Sequence, residues 1–106
     1  MSGSGDKGSW VPKNSDACET LTQVLPLNSP NQAVLNKIRK GNLLDVVAMP
    51  SNGVVLVYAL FQGEIAGSIT STIFQRIAEC IEQGFSYVAE VVEIQGGVCK
   101  VKIRVK

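Results

Sequence analysis

Three apolar runs, LLDVVAM (43–49), VVLVYAL (54–60) and EIAGSI (64–69), are separated only by Pro50-Ser51-Asn52-Gly53 and Phe61-Gln62-Gly63. Short glycine-bearing connections of this kind join neighbouring antiparallel strands, because a parallel pair needs a crossover of about a dozen residues or more. The middle of the chain is therefore a three-strand meander. Its central run is apolar at both parities, which predicts burial on both faces. The last stretch obeys the same rule, with SYVAEVVEI and VCKVKIRV flanking the turn Gln95-Gly96-Gly97. Glu90 and Glu93 have opposite parity, so strict alternation would bury one carboxylate. An extra residue near Val91-Val92, a β-bulge, avoids this by turning Tyr87, Ala89 and Val91 inward and then Val92 and Ile94 inward again.

Helical signals fall between the strands. Ser29-Pro30-Asn31-Gln32 combines a Ser cap, Pro at the first helical position and Gln three residues after the cap, with Val34, Leu35 and Ile38 as the apolar stripe. Lys37, Arg39 and Lys40 then fall in the last turn, where cations suit the helix dipole, and Gly41 supplies a left-handed ending. Thr72-Ile73-Phe74-Gln75 opens a second helix with another capping box, Gly84 closes it, and Ile73, Phe74, Ile77, Ala78 and Ile81 make one apolar face. Upstream, ETLTQVLPL (19–27) reads as a strand stopped near Pro26, since proline cannot donate to a central ladder. The order strand, helix, three strands, helix, two strands predicts an α+β, mainly β domain. A small six-strand antiparallel barrel of OB-like or SH3-like type with two inserted helices fits better than a doubly wound sheet, which needs repeated helical crossovers.

The length of 106 residues is that of one domain, able to remove roughly two thirds of its unfolded surface from water and so to fold without metals or disulfides. Residues 1–15 lack hydrophobic period and read as an N-terminal tail, leaving 16–106 as the domain. Gly3-Ser4-Gly5-Asp6-Lys7-Gly8 satisfies G-x-G-x-x-G, but without a strand before it and a helix after it the motif is a coincidence. Trp10 and Val11 read as a small anchor where the tail meets the domain. No apolar run approaches the ~20 residues of a membrane span, and MSGSGDKGSW lacks the apolar core of a signal peptide, so a cytoplasmic protein is expected. Cys18, Cys80 and Cys99 are odd in number and widely spaced, and all three read as small apolar residues in reduced form. The chain has no histidine, which removes the commonest general base and metal ligand together with Ser-His and Cys-His nucleophile pairs. A non-enzymatic protein with no cofactor and no metal is the expectation.

In the meander the sequence resembles a known family. KIRKGNLLDVVAMPSN is similar to the Gly-Asp-x-Leu strand and Pro-Asn turn of the HIRAN domains, VVLVY…GEIAGSI to their apolar strand leading to an Ile-Gly pair, and IFQRIAECIEQG to their second helix ending in Gly. The resemblance runs from about Leu21 to Val105. It implies an OB-like six-strand barrel with two inserted helices and an ability to hold single-stranded DNA, especially an end. It also brings Asn52 of the turn into the candidate interface. Ala48 and Met49 stand before Pro50 where the family usually carries Arg or a similar residue.

Charge supplies a matching candidate. The net charge is only +1, but residues 41–96 carry an acidic excess, while Lys37, Arg39 and Lys40, and then Lys100, Lys102, Arg104 and Lys106, form basic segments. Alternate cations along one strand face stand about 6.8 Å apart, comparable with phosphates of an extended single strand. Lys100, Lys102 and Arg104, enlarged by Lys37, Arg39 and Lys40, are thus a candidate nucleic-acid-binding row. Tyr58 is a candidate stacking platform, with Trp10, Phe61 and Tyr87 as others. The same alternation is explained without a ligand if the cations protect an exposed edge strand, or if Glu90 and Glu93 pair with them across the hairpin. Two readings therefore stand: a module binding single-stranded nucleic acid, and a protein-interaction or self-assembly module with a protein partner or a second copy and no nucleic-acid ligand.

Overall fold

The computed structural model describes residues 18–71 and 73–106. The tail, its glycine motif, the Trp10-Val11 anchor and Thr72 of the second capping box lie outside those residues. The elements are β1 (Gln23–Pro26), α1 (Gln32–Leu35), β2 (Leu43–Ser51), β3 (Val54–Phe61), β4 (Glu64–Ser68), α2 (Phe74–Glu82), β5 (Tyr87–Gln95) and β6 (Val98–Val105). Their order is the expected one. The six strands form a single antiparallel sheet in the order β1-β6-β5-β2-β3-β4.

Turn chemistry sets the three hairpins. Asn52-Gly53, Gln62-Gly63 and Gly96-Gly97 all have positive φ at both positions, 49° and 83°, 51° and 84°, and 57° and 87°. Two left-handed residues in succession match the right-handed twist of the strands they join. In β5 the register jumps from Val91↔Val101 to Glu93↔Lys100, leaving Val92 as the extra residue of the expected bulge. Glu90 and Glu93 thereby both lie opposite lysines, while Ala89 and Val91 stay in the core with Cys99, Val101 and Ile103 of β6.

β6 is not an edge. Gln23–Pro26 pairs with Ile103–Lys100, so the reading of the cations as edge protection is overturned by a partner about 80 residues away in sequence. Past Leu27 the chain leaves β6. Leu27 N–H donates to Cys99 C=O at 2.8 Å, Asn28 and Ser68 exchange two backbone bonds at 2.8 Å each, and Asn31 N–H donates to Ala66 C=O at 2.8 Å. The segment thus crosses to the free side of β4. A Cβ on Gly67 would lie 2.9 Å from Leu27 Cβ, so only glycine allows that approach. The expected six-strand antiparallel, mainly β domain is present, and the chain after β1 links the two ends of the strand order by meeting β4 at the Asn28↔Ser68 bridge and the Asn31–Ala66 bond.

The same bonds correct the first helix. Because Asn28 and Asn31 give their N–H groups to β4, α1 starts only at Gln32, capped by the Asn31 side chain accepting from Ala33 N–H at 3.1 Å. Ser29, expected as the cap, has φ 47° and stands outside the helix. The helix ends at Leu35, so Lys37, Arg39 and Lys40 follow it rather than fill its last turn. Gly41 adopts the left-handed conformation, φ 96°, but in the turn into β2. β1 is also shorter than read, and residues 18–20 are helical. In β3 only Val57 and Ala59 are buried; Leu56, Tyr58 and Leu60 are half-buried, and Val54 and Val55 are exposed.

Two of the three cysteines are not reduced. Cys18 and Cys80 are disulfide-bonded, Cα to Cα 5.6 Å, across a sequence separation of 62. The pairing is created by the docking of α2 beside the start of the described chain, which spacing in sequence does not show. Closing so long a loop restricts the unfolded chain by about 4 kcal/mol in the chain-entropy picture. Tyr87, buried beneath, donates its hydroxyl to the Cys18 carbonyl at 2.6 Å. Burial raises the Tyr87 phenol above its ordinary 10.0, an effect partly offset by the nearby Arg76 charge. Cys99 alone fits the expectation: it is a free, buried thiol whose pKa burial pushes up.

Candidate functional site

The cation row is built as the alternation required. Lys100 and Lys102 are exposed, Arg104 is half-buried, and the intervening Cys99, Val101 and Ile103 are fully buried. Its cations have carboxylate neighbours. Lys100 Nζ lies 3.8 Å from Glu93 Oε1 and Arg104 Nε lies 3.6 Å from Glu90 Oε1, while Lys102 stands directly across from Glu90. These pairs are long and solvent-exposed, so each is worth below about 1 kcal/mol. They nevertheless reduce a three-charge row to a net of one on that face.

The other candidates do not join the row. Lys37 is bound to Glu64 of β4 at 2.8 Å, and α1 packs on β4. Arg39 and Lys40 are exposed in the turn before β2, where Arg39 N–H donates to the Asn42 side chain at 2.8 Å. Asn52 is at the tip of the β2–β3 hairpin and Tyr58 is in the middle of β3. With β5 and β2 between them, β3 and β6 are separated by about 14 Å of sheet. Tyr58 borders a cavity of about 380 Å³ with Leu56, Ser68, Ile69 and Phe74. Tyr87 is buried and hydrogen-bonded, which removes it as a stacking surface.

A different feature lies at the other long hairpin. β2 pairs with β5 only over Leu43–Val46, and β3 pairs with β4 only from Tyr58 to Phe61. The distal half of the β2–β3 hairpin, residues 47–51 and 54–56, is therefore a two-strand ribbon with no strand beside it, Val57 being the last residue of β3 bonded to the β4 side, through Ile69 N–H at 2.9 Å. Nine-residue β2 extends about 30 Å, whereas nine-residue α2, which packs on β2 and β3, is about 13 Å long and cannot cover it. The inward parity of the ribbon continues the core row of Leu44, Val46, Val57 and Ala59 out to Ala48, Pro50 and Val55.

Between that uncovered floor and the outer side of α2 lies a groove of about 680 Å³, lined by Ala48, Pro50, Val54 and Val55 on one side and Phe74, Ala78 and Ile81 on the other. Val54 is 57 % and Val55 43 % exposed. Phe74, Ala78 and Ile81 fall on one helical stripe, beside the stripe of Ile77 and Cys80 that seals the core. The polar groups at the groove, Gln75, Glu79 and Glu82, come from the exposed side of the helix. Sequence reasoning found the apolar face of α2 but assigned all of it to the core. The available signal was its width, five apolar residues of which one, Ile77, is fully covered.

No helix among the described residues is long and apolar enough to cross a membrane, and none of their His, Cys, Asp and Glu side chains cluster in threes. No protein-family model matches the chain, and no curated protein or solved structure matches it either.

Proposed function

We propose that this protein is a non-enzymatic interaction module that docks a partner protein in the groove between α2 and the distal β2–β3 ribbon. The observation that carries this is the continuation of the core row into an uncovered apolar floor at Ala48, Pro50 and Val55. Apolar surface of this kind gains roughly 25 cal/mol per Å² when a partner removes it from water, and contiguous patches of it mark interaction sites. A small-ligand pocket normally adds a few convergent polar groups to fix orientation; here the polar side chains lie along one helix. The test is a selection of random 12-residue peptides on the intact protein, repeated on Val55→Glu. Peptides whose binding is lost with Val55→Glu support docking in the groove, and failure to select any such peptide refutes it.

A second reading is single-stranded DNA held along β6, favoured by the outward alternation of Lys100, Lys102 and Arg104. The similarity to HIRAN domains belongs with it and rests on the element order and the quoted motifs. Asn52, Tyr58, Lys37, Arg39 and Lys40 enter this reading only as auxiliary contacts. With three phosphate contacts and a slope of about −0.7 per contact, affinity falls roughly twentyfold between 50 and 200 mM salt. A labelled oligonucleotide titrated at both concentrations, against Lys100→Glu/Lys102→Glu/Arg104→Glu, decides it: absence of binding at low salt, or binding indifferent to the triple change, removes the DNA reading.

The expected cytoplasmic location is tested at the cysteines. A cytoplasmic protein would be kept with Cys18 and Cys80 as thiols, whereas an oxidising compartment keeps the bond. Alkylating the protein at the moment of cell lysis and counting modified cysteines distinguishes the two.

A further inference from the structure

We infer that the occupant of the groove is a partner segment with two or three apolar side chains flanked by Lys or Arg; this deepens the docking reading and rests on it. The argument is charge complementarity. Across the described surface, Glu64, Glu90 and Glu93 each have a cation within ion-pair distance, while Glu19 and Asp45, which do not line the groove, have none. Glu79 and Glu82, one helical turn apart on α2, are exposed at the groove and have no such cation. The only basic residue of the helix, Arg76, stands one turn before Glu79 but forms no ion pair with it and does not line the groove; its charge is felt at Tyr87.

The groove therefore presents an apolar floor beside two exposed carboxylates that no cation pairs directly. An acidic or uncharged segment fills the floor but leaves those charges unanswered. A segment with a cation beside its apolar residues meets both, and gains most in encounter rate and selectivity over other apolar segments. Two rim contacts of ordinary strength together amount to about a tenfold change in affinity.

The experiment extends the 12-residue selection. Enriched peptides are sequenced, labelled and measured by fluorescence anisotropy against the intact protein, Val55→Glu, and Glu79→Lys/Glu82→Lys, each checked for native circular dichroism. The expected result is enrichment of Lys or Arg beside an apolar pair or triplet, loss of binding beyond tenfold with Val55→Glu, and about tenfold weakening with the charge reversal that fades as salt rises. Groove-dependent peptides with neutral or acidic flanks would overturn the inference while leaving docking intact. Peptides indifferent to Val55→Glu would remove docking itself. Concentration-dependent sedimentation that Val55→Glu abolishes would assign the groove to a second copy of this chain, and would likewise overturn the inference.

Discussion

The β5–β6 and β2–β3 hairpins are built alike, each with long strands joined by a two-residue turn with both φ positive, yet they meet opposite fates. β5–β6 has β2 on one side and β1 on the other, and its inward residues Ala89, Val91, Cys99, Val101 and Ile103 are all 0 % exposed. Its outward cations face carboxylates that the bulge turned toward them. β2–β3 is flanked only at its base, and at its distal end Val54 and Val55 are exposed. Charge is conspicuous in the first hairpin and already answered there. In the second, apolar surface is left unanswered, so the second is the better place to seek a partner.

The comparison breaks most readily in the core. Ile103→Ala, deleting a fully buried side chain of β6, should cost about 3 kcal/mol or more, whereas Val55→Ala on the ribbon should stay within about 0.5 kcal/mol. Urea unfolding of the two variants measures both, and equal losses would mean that the ribbon is packed like the core. Next in size is the bond that fixes the groove wall. Cys80→Ala should lower stability by about 3 kcal/mol, and thiol titration of the wild type should find one reactive cysteine after denaturation and three after denaturation with reductant.

A smaller effect concerns Tyr87, which burial holds in its neutral form. Since its folded pKa is raised, the unfolded chain releases this proton first, and the stabilisation is complete below pH 10, then lost as pH rises through the folded value. Tyr87→Phe, which deletes the hydrogen bond to Cys18, should cost about 1 kcal/mol at pH 7 and flatten the alkaline fall in stability. Unfolding measured from pH 7 to 11 checks the sign. Smallest of all, a double-mutant cycle on Glu93 and Lys100 should return a coupling below about 1 kcal/mol that salt diminishes.

Much of the architecture was legible because it is local. The turns, the bulge forced by Glu90 and Glu93 and the alternation of the last strand all follow from residues within reach of one another. What escaped depends on partners distant in sequence. The pairing of β1 with β6, which moves the cations off the edge, and the bond between Cys18 and Cys80 both arise from tertiary docking. Asn31 caps α1 in place of Ser29 for the same reason, since the preceding backbone is committed to β4. Of the candidate site, only Lys100, Lys102 and Arg104 are gathered as expected. The groove was hidden because an apolar residue reads as core until lateral pairing and helix length reveal what covers it.

The most direct test is amide chemical-shift mapping of the isotope-labelled protein during titration with a groove-selected peptide. Shifts concentrated at 48–57 and 74–82 are the predicted result. Shifts running instead along Lys100, Lys102 and Arg104 would contradict it and return the binding face to β6.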